Sequence, residues 1–181
     1  SLTRVVAVET SRSEARMEVP AESDVRIDIG AGAKKFPGWL SVGLEDHHDI
    51  RCDIRKLDLP DHFADEAMAI HVLEHIDRNE APATLAEWRR VLKPGGKLAV
   101  ELPELLKVCR LVLTGPDHRA GQVALFGEPN FNDPLMLHKW CWSAAELANA
   151  LREAGFRKIK FKSPEHHGRR DYRDIRVEAR A

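Results

Sequence analysis

Asp28-Ile29-Gly30-Ala31-Gly32 places an acid and a Gly-x-Gly turn at the end of the apolar run that begins at Val25. Such a run suits a buried parallel strand, and glycines let the backbone turn tightly and approach a ligand closely. Dinucleotide sites use a similar turn to lay a pyrophosphate on the N–H groups of the next helix. Two residues argue against a dinucleotide here. Lys35 stands where the third glycine of G-x-G-x-x-G is required, and the Asp28 carboxylate repels a phosphate. A cationic ligand fits instead.

The histidines are the other candidates for chemistry. His71-Val72-Leu73-Glu74-His75 also reads as the metal-binding pattern H-x-x-E-H. Zinc hydrolysis needs both histidines on one helix face and a third ligand downstream. The apolar run Ala67–Ile70 before this segment reads as a strand, so His71 falls at a strand-to-loop junction and no metal is expected. The pairs His47-His48 and His166-His167 point in different directions along the chain and read as solvated loop residues. Trp140 and Trp142 flank Cys141 ahead of a capped helix, where core packing is the favoured reading over a pocket wall.

Positioning these residues requires an alternating framework. Strands are expected near 25–29, 40–44, 49–52, 67–70 and 97–102, interleaved with helical patterns, which is the mark of βαβ units. Asn79 caps a predicted helix over 80–92, stopped by Lys93-Pro94-Gly95-Gly96. Pro103 opens a second helix, ended by Gly115-Pro116. Ser143-Ala144-Ala145-Glu146 is a capping box for a third over 144–154, closed by Gly155. A strand at 156–162 and an antiparallel one at 172–179 complete the set. Residues 32–39 leave room for one helical turn, and 115–142 reads as a long loop able to wall a substrate pocket. Residues 1–22 form an appendage with a hairpin pattern, and 23–181 form one domain.

The chain has 181 residues, 43% of them hydrophobic and 31% charged, and a net charge of -1. These values suit a soluble globular domain and give no basic field for nucleic acid. Three separated cysteines suggest a reducing, cytoplasmic setting. Neither a membrane span nor a secretory leader is expected.

Several of these segments together resemble class I S-adenosylmethionine-dependent methyltransferases of small bacterial type. Asp28–Gly32 is similar to that family's glycine-rich motif, and Cys52-Asp53-Ile54 to the acid after the third strand. Asp65–His75 is similar to the fourth strand and its C-terminal extension. Trp88–Leu98 is similar to the helix, turn and fifth strand, and Leu151–Phe156 to the end of the last helix. The resemblance implies a Rossmann-like, doubly wound α/β fold: a mostly parallel sheet, helices on both faces, an antiparallel last strand. The implied cofactor, S-adenosylmethionine, carries a sulfonium and an ammonium and no phosphate, which suits the Asp28 carboxylate. Gly30 and Gly32 would pass under its methionine part, Asp28 would bind its ammonium, and Asp53 and the Ile54 backbone would meet the adenine. His71, Val72 and Leu73 would line the same pocket.

One departure stands out. Val42-Gly43-Leu44 occupies the place of the acid that holds the ribose, and Glu45 is the nearest substitute. Direct methyl transfer to a small-molecule or sugar acceptor is expected, by analogy with short methyltransferases of surface-glycan assembly. A general base is expected among His75, His138 and Glu101, the two histidines favoured. Two other classes stay open: a non-catalytic module of this fold that serves a partner protein, and a zinc hydrolase.

Overall fold

The computed structural model describes residues 3–10, 13–20, 24–115, 117–128, 133–166, 168 and 170–181. The first two strands, β1 (Thr3–Thr10) and β2 (Ser13–Pro20), pair antiparallel as a separate two-stranded sheet. The remaining strands are β3 (Arg26–Ile29), β4 (Leu40–Gly43), β5 (Ile50–Arg51), β6 (Ala64–Ile70), β7 (Leu92–Pro103), β8 (Arg157–Lys162) and β9 (Asp174–Arg180). They form one sheet in the order β5-β4-β3-β6-β7-β9-β8. The strands from β5 to β7 run parallel, and the last strand, β9, pairs antiparallel with both β7 and β8, as expected. The earliest strand of this sheet, β3, lies between β4 and β6, where the strand order reverses.

The two-residue period of a strand sorts this sheet into unlike faces. Ile27, Ile29, Ala67, Ala69, Leu98, Val100, Leu102 and Val177 all enter the main core. Helices α1 (Ala81–Val91) and α4 (Ala144–Glu153) supply Leu85, Trp88, Leu147 and Leu151 to it. Trp88 is fully buried and donates its indole N–H to the Ile54 carbonyl at 2.8 Å, which ties α1 to the segment after β5. On the opposite face Met68, Ile70 and Ala99 make a small cluster, covered by Phe36 and Trp39 of the β3–β4 connection. Helices α1 and α4 thus cover the face of the main core, and the β3–β4 connection, too short for a helix, covers the small cluster on the other. Beyond this cluster the second face is ionic, with Glu178 held between Lys97 and Lys162.

Several local expectations change. Residues 32–39 form two turns and no helical turn, because Pro37 and Gly38 (φ +79°) reverse the chain. Glu80, not Asn79, occupies the first cap position of α1, and Asn79 instead donates its backbone N–H to Asp77. Within 115–142 lies a helix, α3 (His118–Phe126), capped by Asp117 and packed on α2 (Leu105–Thr114). Gly121 permits that contact, since a Cβ there would lie 2.5 Å from Val112 Cγ2. The capping box of α4 is half-formed. Ser143 accepts from the Glu146 N–H, while the Glu146 side chain turns to Arg78 and Trp140. No helix among the described residues is long and apolar enough to cross a membrane.

Candidate active site

Parallel neighbours end on one edge, so the C-terminal ends of β5, β4, β3 and β6 bring Cys52–Ile54, Gly43–Glu45, Asp28–Gly32 and His71–Leu73 together. Backbone bonds fix the arrangement. Gly30 N–H donates to the Val42 carbonyl at 2.8 Å, and Cys52 N–H to the Gly43 carbonyl at 3.0 Å.

Asp28 points to the face opposite Ile27 and Ile29 and is 3% exposed. Among the described residues no hydrogen-bond donor or ion-pair partner meets its carboxylate. Burial alone pushes its pKa up to about 7. Gly30 has φ +71°, and a Cβ there would lie 2.7 Å from Val72 Cγ2. Gly32, at φ +57°, faces open space. Both glycines are therefore needed for conformation, and Gly30 for clearance as well. Gly30→Ala is expected to cost about 3 kcal/mol, from left-handed strain plus overpacking, and Gly32→Ala about 1 kcal/mol. Thermal melts of the two variants check the order.

The space beside Gly43 is taken by an imidazole. A Cβ there would lie 2.6 Å from His48 Cε1, so the inward His48 ring occupies the room that a side chain at position 43 would need. His48 is accordingly not a solvated residue: its Nδ1 meets the Glu45 carbonyl at 3.1 Å, and its Nε2 is buried without a partner among the described residues. His47 is exposed and links Glu45 (3.2 Å) to the Gly32 carbonyl (2.8 Å). Glu45 thereby sits one imidazole away from the glycine turn. Asp53 is engaged by Arg55, whose guanidinium meets both carboxylate oxygens and continues to Glu80. Those hydrogen bonds hold the Asp53 carboxyl below its ordinary range.

His71 ends β6 with φ +55°, and its ring turns to two buried carboxylates, Glu74 at 2.9 Å and Asp174 at 3.2 Å. Burial opposes the charged imidazolium, but the Asp174 and Glu74 carboxylates outweigh it and lift the pKa to about 9. Arg173 completes the group on Asp174 at 2.8 Å. Leu73 is buried in the core, so of this segment Val72 is the side chain that meets the glycine turn. Glu101 is a poor base. Burial raises its pKa, but donors from His166, Glu165 and Arg176 prevail and keep it ionised and saturated. His166 is therefore also no solvated loop residue; His167 lies outside the described residues.

His75 and His138, far apart in sequence, meet with ring centroids 4.8 Å apart. The cause is a backbone clamp in which the Lys139 and Trp140 N–H groups both donate to the Glu74 carbonyl, at 2.7 and 3.2 Å. His138 Nδ1 donates to the Ala124 carbonyl at 2.9 Å, and burial lowers its pKa, leaving it neutral near pH 7. Phe126, Leu135, Leu137 and Trp140, from the segments that carry this pair, are exposed, whereas Trp142 is fully buried in the core. Asp174 and Arg173 carry no local signal as site residues, since only the register of β9 on β7, pairing Asp174 with Pro103, brings them to His71.

Comparison with known proteins agrees with this fold. Residues 25–100 match the family model of a methyltransferase domain. A SAM-dependent methyltransferase from Archaeoglobus fulgidus is 16% identical, with 88% of this chain and 87% of that one covered and a TM-score of 0.60. One from Methanosarcina mazei is 17% identical, with 88% and 92% covered and a TM-score of 0.63. The Burkholderia thailandensis 1,6-didemethyltoxoflavin-N1-methyltransferase, solved with 1,6-didemethyltoxoflavin and S-adenosylhomocysteine, is 18% identical, with 87% and 70% covered and a TM-score of 0.60. No curated protein matches the chain. Residues 25–100 are thus similar to a methyltransferase domain, and the chain has the fold seen in these SAM-dependent methyltransferases.

Proposed function

We propose that this chain transfers a methyl group from S-adenosylmethionine to a small-molecule acceptor seated at His75 and His138. The observation that carries the reading is Asp28, a buried carboxylate with no protein cation among the described residues, beside two glycines that keep the backbone accessible. An uncompensated buried acid is costly, and a ligand ammonium relieves that cost. The donor set fits the cofactor: Asp28 takes the ammonium, Gly30, Gly32 and Val72 bound the methionine part, and Glu45 accepts from the ribose. Asp53 retains lone pairs outside its Arg55 contacts for the adenine amino group, and the Ile54 backbone lies beside it. Replacing Glu45 with Gln is expected to weaken cofactor binding about tenfold, the worth of one charged hydrogen bond, as read by calorimetry.

S-adenosylmethionine supplies a methyl carbon already activated by its sulfonium. The protein's task is alignment, which can account for much of the acceleration. The His75–His138 pair faces the acceptor, and neutral His138 can hold the proton leaving an acceptor hydroxyl as the carbon–oxygen bond forms and the carbon–sulfur bond breaks. The apolar rim of Phe126, Leu135, Leu137 and Trp140 favours an acceptor with an apolar body over a bare sugar. A transfer assay with methyl-labelled cofactor and panels of phenols, hydroxylated heterocycles and sugars tests this. Label on a phenol or heterocycle, reduced in His138→Ala, is the expected result. Label on sugars alone reassigns the acceptor, and unchanged turnover in His138→Ala removes His138 from the reaction.

A further inference from the structure

We propose that Glu74, His75 and His138 form a binding site for one divalent transition-metal ion of the zinc type. One ligand atom from each lies within 4.8 Å of the others. Both imidazoles are already set as ligands. The Nδ1 of His75 meets the Leu137 carbonyl at 3.2 Å and that of His138 meets the Ala124 carbonyl at 2.9 Å. A carbonyl only accepts, so each Nδ1 carries the hydrogen and each Nε2 keeps its lone pair. Metal-binding histidines show this arrangement, with the second nitrogen donating to a carbonyl that fixes tautomer and ring angle.

The carboxylate supplies the independent observation. Glu74 is 1% exposed; one oxygen is held by His71, and Oε2 is buried with no partner among the described residues. Leaving a buried carboxylate oxygen unpaired is costly, and a cation held by this carboxylate and the two imidazoles relieves that cost. Two imidazoles and one carboxylate are the donors of a zinc site that keeps a coordination position open. The second histidine–acid group, Glu45, His47 and His48, is a weaker candidate. Both nitrogens of His47 are already engaged, by Gly32 and Glu45, and the Glu45 side chain is exposed. The H-x-x-E-H segment therefore contributes its last two residues to a metal and sends His71 to Asp174, with a ligand 63 positions beyond His75 that spacing alone does not announce.

The role of the ion rests on the methyltransferase reading. Its open position would take the acceptor's oxygen and lower that oxygen's pKa, so that the hydroxyl proton leaves to water and His138 serves as a ligand in place of the proton acceptor. Binding itself is independent of that reading. The test is calorimetric titration of the full chain with zinc chloride, alongside S-adenosylmethionine in a separate cell. One zinc per chain is expected, weakened about 100-fold in Glu74→Gln, His75→Gln and His138→Gln and unchanged in His47→Ala. Zinc should also raise the Tm of the wild type and not of His75→Gln, a variant at a position that is only half-buried. No zinc binding by the wild type, or binding lost in His47→Ala and kept in His75→Gln, overturns the proposal. Cofactor binding without zinc overturns the metal site alone, and zinc binding without cofactor overturns the methyltransferase reading alone.

Discussion

Asp28→Asn abolishes S-adenosylmethionine binding and makes the chain more stable. Both effects follow from one carboxylate. Its folded pKa, about 7, lies above the ordinary 3.8 because burial disfavours the charged form. Above about pH 7 the native state must carry this buried charge, whereas the unfolded chain ionises without penalty. The acid therefore costs stability, most of all in alkaline solution. The penalty shrinks as pH falls through the folded value and vanishes below the unfolded one. A tenfold difference in proton affinity between folded and unfolded chain corresponds to about 1.4 kcal/mol. After allowance for the buried amide that replaces the acid, the gain is about 2 kcal/mol, or roughly 5 °C in Tm for a chain of this size. The same charge is what a ligand ammonium needs. Wild-type affinity should decline below about pH 7, approaching tenfold per pH unit, with a proton released on binding near that pH. Melts on either side of neutrality, with calorimetry in two buffers, check both. A destabilised Asp28→Asn, or affinity independent of pH, contradicts the assignment.

Removing the His71 imidazole has the opposite sign. In His71→Ala, Glu74 and Asp174 lose their shared cation, and both are almost wholly buried. Breaking a buried pair from one side costs about 4 kcal/mol, so a fall in Tm of about 10 °C is expected. The pH dependence comes from an imidazole whose folded pKa is raised to about 9 from 6.5. Its contribution is complete below the lower value and lost as pH rises through the higher one. The difference in Tm between wild type and variant should therefore narrow in alkaline solution. A constant difference across that range would mean that His71 contributes packing and no charge.

Legibility in the sequence depends on whether a signal is local. The Asp28–Gly32 turn, the Lys93–Gly96 stop and the Ser143 cap act within a few residues, and each is found at its expected place. Helix α3 escapes because Gly121 and a polar lead-in mask its period, and because its reason for existing is contact with Val112 of α2. The site divides in the same way. Asp28, Gly30 and Gly32 lie within one turn. The Gly43 departure reads as a loss in the sequence, yet it is compensated by His48, whose ring fills the space. The fates of His71 and Glu74 are not legible, since they depend on where β9 and the 138–140 segment return to the sheet. The helical turn expected at 32–39 fails for a simpler reason: the short connection between β3 and β4 is spent on turns that seat Phe36 and Trp39.

Whether Asp28 and the glycine turn hold a cofactor is decided by calorimetric titration of the unmodified chain with S-adenosylmethionine and with S-adenosylhomocysteine. One site per chain and micromolar affinity for both compounds are expected, since both carry the ammonium that Asp28 awaits. Binding of neither would contradict this and would leave the glycine turn and the buried acid as features of a fold that no longer holds this cofactor.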